Sequence, residues 1–347
     1  MKHAFFVAVV LLLCIGCGQS VGITTESQGH FGAVFCAAFS PDGKKIVTAG
    51  YDNTARIWDI ESGEELHVLK GHRGHSAGIN SVAFSPDGKK IVTAGSDGTA
   101  DFRDTNEIGN IRIWDAETGK ELRKLEGYQW GVCSVAFSPD GKKVVAAEQP
   151  VDTKAVLIWD TDSGEVLQRL EGLSGFVAAT AFFPDGKKII ATDGKTVRIW
   201  NTESGKELQR FEGEHWNEIF SVAISPDGTK IVTAGNDKST RIWDANLEKE
   251  LQKFEGEYFR VGSAIFSPDG KKIVTAGYDK STRIWDADTG KELRKFEGKH
   301  EFGIHSAVFS PDGKAILTVQ DNAVTIWDIE SGKELKKWKW EIQYWKD

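Results

Sequence analysis

The sequence predicts an all-β protein, a seven-bladed β-propeller of four-stranded antiparallel blades. Three observations carry that expectation. A Pro-Asp-Gly turn recurs at Pro41, Pro86, Pro139, Pro184, Pro226, Pro268 and Pro311, with successive spacings of 45, 53, 45, 42, 42 and 43 residues. A second marker, Ile-Trp followed by Asp or Asn, recurs at Trp58, Trp114, Trp159, Trp200, Trp243, Trp285 and Trp327, in phase with the first all seven times. Between the markers lie short apolar runs bounded by turn residues, the pattern of strands rather than helices. A period near 43 residues with four strands and a Trp-Asp end is the mark of a propeller blade.

The sixth unit shows how each element arises. Ser263–Phe266 is a short apolar run, strand a. In Ser267-Pro268-Asp269-Gly270, Pro presets the first central position of a turn and Gly takes the left-handed one. Lys272–Ala276 then reads as strand b, Gly277-Tyr278-Asp279-Lys280 as a second turn, and Thr282–Trp285 as strand c. Asp288-Thr289-Gly290 turns the chain into Glu292–Phe296, strand d, whose mixture of charged and apolar residues suits an outer edge. At the ring's end, Glu334–Trp340 can supply the seventh strand d, as in every other unit, or Ile23–Gln28 can occupy that slot; the first is favoured.

These markers resemble the WD-repeat family over residues 31–340. The resemblance implies a hydrogen-bonded tetrad in each blade: a His before strand a, a Ser or Thr in strand b, an Asp in the b–c turn, and the Trp. A buried indole N–H needs an acceptor, and a His relayed to a carboxylate supplies a network. Carried over, blade one has His30, Thr48, Asp52 and Trp58. Blade two has His75, Thr93, Asp97 and Trp114, with His72 competing for the histidine's place. Blade five has His215, Thr233, Asp237 and Trp243, and blade seven His300, Thr318, Asp321 and Trp327. Blade three has Tyr128 and Ala146 in place of His and Thr, blade four has Leu173 and Ala191, and blade six lacks the His. Those three blades are expected to be less rigid.

The N-terminus reads as a targeting segment. Met1-Lys2-His3 precedes an apolar run from Ala4 to Leu13, too short to span a bilayer and suited to a signal-peptide core. It ends in Leu13-Cys14-Ile15-Gly16-Cys17, which resembles the lipobox of bacterial lipoproteins. That resemblance implies lipidation of Cys17 as the mature N-terminus, although Cys14 stands where the family usually has Leu. The other readings are a secretory signal cut slightly later and a retained anchor. The expected organisation is therefore a signal peptide at 1–16, a tether at 17–30, the propeller at 31–340 and a tail at 341–347. The expected location is a bacterial envelope membrane, on its periplasmic or cell-surface side, or else the secreted fraction. Cys36 and Cys133, in different repeats, make no disulfide framework and read as small apolar fillers.

Composition narrows the partners. The chain is 40% hydrophobic and 27% charged with only 8 Pro, a globular balance. Its net charge of −8 leaves no electrostatic footprint for nucleic acid. No Walker loop, Gly-rich dinucleotide turn or nucleophile elbow occurs. The pair His300 and His305 fails as a metalloprotease motif because the two are five apart and precede a strand. His72 and His75 lack a third ligand, so neither a metal nor a cofactor is expected. Carboxylates repeated seven times have structural roles, and a catalytic site would be a singular departure from the repeat.

Departures from the repeat are therefore where function is expected. Trp114 lies 17 positions after Asp97, against six in blades one, five, six and seven, and the extra stretch Ala100–Asn110 is polar. Aromatic residues gather around the d–a loops and strand-a starts: Phe31, Phe35, Trp130, Phe176, Trp216, Phe220, Tyr258 and Phe259, with Arg260 and His305 among them. Tyr51 and Tyr278 stand just before turn aspartates. The resemblance implies that such positions point onto the rim that binds partners, and Trp, Tyr and Arg dominate binding hot spots. Trp338, Trp340, Tyr344 and Trp345 form a separate C-terminal cluster whose place the sequence leaves open. The expectation is a non-enzymatic platform for a protein or peptide partner. The alternatives are a structural subunit of an envelope assembly using blade edges, and a propeller enzyme with a channel-mouth cofactor or metal.

Overall fold

The structure, a computed structural model, describes residues 29–72, 78–95, 111–126, 131–148, 155–211, 215, 217–246, 249–254, 260–296 and 303–340. Blade one sets the pattern, with strand a at Val34–Phe39, b at Lys45–Gly50, c at Thr54–Asp59 and d at Glu65–Lys70. The a–b turn is built from its own side chains. Ser40 Oγ donates to Asp42 Oδ1 at 2.6 Å and accepts from Lys45 N at 2.9 Å, while Gly43 takes φ of 69°. A left-handed φ excludes most side chains, which explains the invariant Gly of the Pro-Asp-Gly marker.

Seven antiparallel sheets repeat this order, each a-b-c-d in sequence. The sixth unit's strands run Val261–Phe266, Lys272–Gly277, Thr282–Asp286 and Glu292–Phe296, so its strand a starts two residues earlier than expected. In the seventh, strand d is the C-terminal Glu334–Lys339 paired with Ala323–Asp328. Ile23–Gln28 lies outside the described residues.

Each strand d carries one β-bulge opposite the strand-c tryptophan. In blade two, Ile113 faces Arg123 and Trp114 faces Glu121, leaving Leu122 as the extra residue. The equivalent leucines Leu66, Leu167, Leu208, Leu251, Leu293 and Leu335 are all exposed. In blades one, two and four an arginine ties strand c back to strand d: Arg56 reaches Glu65 at 2.6 Å, Arg112 reaches Glu121 at 2.6 Å and Arg198 reaches Glu207 at 3.0 Å.

The core lies between the blades as seven clusters, not one. The last apolar residue of each strand d packs on the tryptophan of the next blade: Phe211 on Trp243 at 6.0 Å, Phe254 on Trp285 at 5.1 Å and Phe296 on Trp327 at 5.8 Å between ring centroids. Burying a side chain of that size contributes about 1.5–3 kcal/mol. The seventh joint closes the ring with two tryptophans. Trp338 lies 6.3 Å from Trp58, Trp340 stacks on Trp58 at 6.5 Å, and Trp338 Nε1 donates to Gly63 O at 3.1 Å. The C-terminal aromatics that the sequence left unplaced are thus, for Trp338 and Trp340, the buried seam between blades seven and one.

Candidate functional site

Strand a of every blade touches strand a of its neighbours, so these strands line the centre of the ring. The b–c turns and the d–a loops meet at one mouth of it, because Asp52 of a b–c turn binds both His30 and the main-chain N–H of Phe31 ahead of strand a. In blade one, His30 Nε2 lies 2.8 Å from Thr48 Oγ1, which also accepts Trp58 Nε1 at 2.8 Å, and His30 Nδ1 lies 3.0 Å from Asp52. Blade five repeats this through His215, Thr233, Asp237 and Trp243, at 2.8, 2.9 and 2.8 Å. Burial pushes the Asp52 and Asp237 carboxyls up, but the histidine hydrogen bonds and charge outweigh it and hold both below the usual carboxylate range.

One histidine assignment is corrected, and that of blade seven falls on His300, outside the described residues. In blade two, His72 and not His75 occupies the seat, with His72 Nε2 at 2.7 Å from Thr93 Oγ1 and Trp114 Nε1 donating to the same hydroxyl at 2.8 Å. His72 follows Gly71 directly, as His30 follows Gly29, and the d–a connection is three residues longer, which misleads a count backwards from the threonine. In blade seven, Trp327 Nε1 donates to Thr318 Oγ1 at 2.9 Å, but Asp321 is bound by His305 at 2.6 Å. His75, Asp97, His300 and Tyr128 lie outside the described residues.

The remaining blades find substitutes. Trp159 Nε1 donates to the main-chain oxygen of Glu126 at 2.9 Å. In blade four, Asp193 accepts from the main-chain N–H of Ser174 at 2.8 Å and from that of Gly175, and pairs with Arg198 at 2.8 Å. In blade six, Trp285 donates to Thr275 at 2.9 Å, and Asp279 accepts from Arg283 and Ser281, both at 2.7 Å.

On this mouth the structure assembles one continuous cluster from four blades. The Arg260 guanidinium, just before strand a of blade six, lies 4.6 Å from the ring of Phe220 (blade five) and 4.7 Å from that of Tyr278 (blade six). Tyr278 Oη lies 3.4 Å from His305 Nδ1, and His305 Nε2 lies 2.6 Å from Asp321 Oδ1, both in blade seven. Phe35, from blade one, meets the His305 ring edge-on at 5.9 Å. Burial lowers the Arg260 pKa against the opposing pull of Tyr278 and Glu218, and burial raises that of the Tyr278 phenol. All of these side chains are half-buried.

Of the rim residues expected from sequence, Phe220, Arg260, Tyr278 and His305 are therefore brought together. Tyr51 is half-buried elsewhere on the mouth, and a Cβ on Gly32 would lie 3.1 Å from its ring. Phe176 is half-buried in blade four, its main-chain oxygen accepting from Gly194 at 2.8 Å. Trp130, Trp216, Tyr258, Phe259, the stretch 100–110, Tyr344, Trp345 and Cys17 lie outside the described residues. Sequence reasoning did not connect Asp321 and Glu218 with the rim. Their only signal was position, Asp321 in a b–c turn and Glu218 just ahead of strand a. Burial pushes the Cys36 thiol up to about 12, in keeping with an unreactive position.

Comparison with known proteins matches a family model described as WD40, WD domain, G-beta repeat, at residues 22–59, 63–101, 119–160, 164–201, 205–244, 248–286 and 290–328. Six of the seven matched units end at the strand-c Trp-Asp or Trp-Asn, and the second ends at residue 101. Similar proteins include the WD40 repeat-containing protein HOS15 of Arabidopsis thaliana, 39% identical over 116 residues, 33% of this chain and 18% of that protein. A Denticleless protein homolog of Danio rerio is 27% identical over 138 residues, 38% of this chain and 19% of that protein. A dynein assembly factor with WD repeat domains 1, also of Danio rerio, is 46% identical over 44 residues, 13% of this chain and 11% of that protein. The chain thus spans less than one fifth of the length of each of these relatives.

Proposed function

Because the chain belongs to the WD40 repeat family, we propose that it is a non-enzymatic scaffold that captures a protein or peptide partner on the rim of its ring. The observation that carries this reading is the cluster of Phe220, Arg260, Tyr278 and His305, drawn from three blades onto one mouth. Tyr and Arg are the residues that most often dominate binding energy, and here packing holds them in place before a partner arrives, which lowers the ordering cost. A relative named as an assembly factor is in keeping with a scaffold.

Export belongs to the same reading: the Cys17 motif tethers the chain by lipid to an envelope membrane. The test of both is affinity isolation from solubilised membranes with the wild type and with Arg260→Ala, followed by mass spectrometry. Loss of a hot-spot arginine costs about 2 kcal/mol or more, roughly a 30-fold weaker capture. Equal capture by the variant would remove the rim from the proposal. A mature chain that does not begin at an acylated Cys17 would remove the lipid anchor.

A second reading has one specific observation in its favour. The seven bulge leucines, from Leu66 at 37% exposure to Leu335 at 59%, repeat an exposed apolar residue on every outer strand. Such a belt suits a subunit of an envelope assembly contacted along its blade edges. Cross-links mapping to the d strands, and absent from the rim, would decide for it.

A further inference from the structure

Three successive blades carry an exposed lysine in the b–c turn, on the mouth that holds the aromatic cluster: Lys195 in blade four, Lys238 in blade five and Lys280 in blade six. The backbone is left-handed at Lys238, with φ of 66°, and at Lys280, with φ of 64°. Blade one has Asn53 in that place, at φ of 59°, and the shorter turn of blade four bends at Gly194, φ 65°, ahead of its lysine. Gly and Asn suit such a bend, whereas the Cβ of a longer side chain crowds the following carbonyl. Blades five and six therefore hold a lysine where the turn disfavours one, and backbone strain of this kind gathers at functional sites. The acids of the three turns face inward. Asp193 and Asp237 are buried and Asp279 is half-buried, bound respectively to Arg198, to His215 and Ser239, and to Arg283 and Ser281. Each turn thus hides its carboxylate and shows its ammonium.

Lysines at the opposite face are matched within the chain. Lys45 meets Glu117 at 2.8 Å, Lys90 meets Asp162 at 2.6 Å and Lys230 meets Asp288 at 2.5 Å, each tying one blade to the next. Among the described residues, Lys195 and Lys238 have no such side-chain pair; Lys280 also interacts within the chain, so the weight falls on the first two. Arg260 lies in the same arc, between the rings of blades five and six, with Glu218 acting on it. The loop carboxylates Glu212, Glu214, Glu255 and Glu257 lie outside the described residues. The b–c turns of blades one and seven carry Asn53 and Asn322 instead of lysine. We propose that this arc seats an acidic segment of the partner protein, whose carboxylates meet Lys195 and Lys238 beside the stack of Phe220, Arg260 and Tyr278. A ligand reaching from blade four to blade six is an extended chain rather than a small anion. In a protein of net charge −8, an exposed positive arc is a local complement to such a segment, not a general attraction for anions. The proposal rests on the docking reading above and supplies the chemistry of the partner.

The test is fluorescence polarisation of a labelled Glu-rich peptide and its Gln counterpart, titrated with the full chain and with Lys195→Gln/Lys238→Asn. The wild type should prefer the Glu peptide and lose that preference as salt is raised. The variant should bind the Glu peptide about 5-fold more weakly. Asn at 238 is the residue blade one uses, so the urea midpoint should hold and weaker binding then reports the lost charge. The peptide preference and its salt dependence are read on the wild type, so they decide even if the variant misfolds. No preference for Glu over Gln, or equal binding by the folded variant, overturns the proposal. Phosphatidylglycerol vesicles or a single-stranded oligonucleotide bound through these lysines, without the peptide preference, overturns it in favour of that ligand. A partner from membranes that needs Arg260 yet binds the lysine variant as tightly as the wild type leaves the docking reading standing and removes its acidic chemistry. A Glu preference that needs the lysines, with a partner captured equally by Arg260→Ala, removes the docking reading and leaves the arc.

Discussion

Blade five and blade three end strand c with the same buried tryptophan and satisfy it by different means. In blade five, Trp243 donates to the Thr233 hydroxyl, which binds His215, which binds Asp237. In blade three, Ala146 stands in the threonine's place and Trp159 donates to a main-chain oxygen, that of Glu126. Blade four shows the same substitution at another atom. Its turn carboxylate, Asp193, takes main-chain N–H groups where a histidine binds in blades one and five. What the blade requires is an acceptor for each buried N–H and a donor for each buried carboxylate. Which residue supplies it is free.

The comparison breaks most sharply at the histidine. In His215→Ala, Asp237 keeps its two hydrogen bonds from Ser239 but loses the imidazole, while both members of the native pair are almost wholly buried, at 1% and 0% exposure. Removing one member of a buried pair costs about 3–5 kcal/mol. A domain's whole stability is about 5–15 kcal/mol, so the urea midpoint of His215→Ala should fall steeply with little change in slope. A loss below about 1 kcal/mol would mean that Asp237 is as easily resupplied as Asp193.

The threonine gives the next largest effect. Thr233→Val leaves the Trp243 N–H and the His215 Nε2 without their shared partner, a cost of about 1–3 kcal/mol. The mirror change, Ala146→Thr, should bring no gain, because the Trp159 N–H already has its acceptor. A stabilised Ala146→Thr would show that the main-chain bond is the inferior solution.

Acid separates the two blades without mutation. Asp52 and Asp237 have pKa values held below the usual range, so their contribution is present above about pH 4 and is lost as pH falls through the lowered values. The Pro-Asp-Gly turn carboxylates Asp140 and Asp227 are also lowered, chiefly by the serine hydroxyl each accepts from, so blades three and five share that loss. Only blade five has a titrating group in its tryptophan network. Amide exchange at pH 3 and pH 6, corrected for intrinsic rates, should show blade five losing more protection than blade three; equal losses would place the acid sensitivity in the turns alone.

The same contrast marks what the sequence made legible. Seven turns and seven tryptophans in phase specify blades, strands and ring, because each is a local signal repeated. The histidine seat was legible only in part. Counting 18 residues back from the threonine finds His30 and His215 but also His75, whereas the seat in blade two is set from the strand-d side, where Gly71 precedes His72. Contacts between repeats were not legible. Nothing in the spacing says that Arg260 lies between Phe220 and Tyr278, since which loops abut depends on closure of the ring. Trp58 and Trp338 meet only because the first and last blades do.

The smallest effect concerns rigidity, where the sequence alone made blades four and six, with blade three, less rigid than the rest. The structure divides them. In blade four the chain ahead of strand a is still tied to the b–c turn, through Ser174 and Gly175 to Asp193. Among the described residues, the corresponding Asp279 of blade six is held within its own turn and strand c, by Ser281 and Arg283. One such hydrogen bond is worth about 0.5–1.5 kcal/mol net, roughly a 2- to 12-fold difference in exchange protection. Blade four should therefore protect the amides opening its strand a as well as blades one and five do, and blade six less well. If blade four exchanged faster than blade six, main-chain donors would be poor replacements for a histidine, and the equivalence drawn between suppliers would fail at that atom.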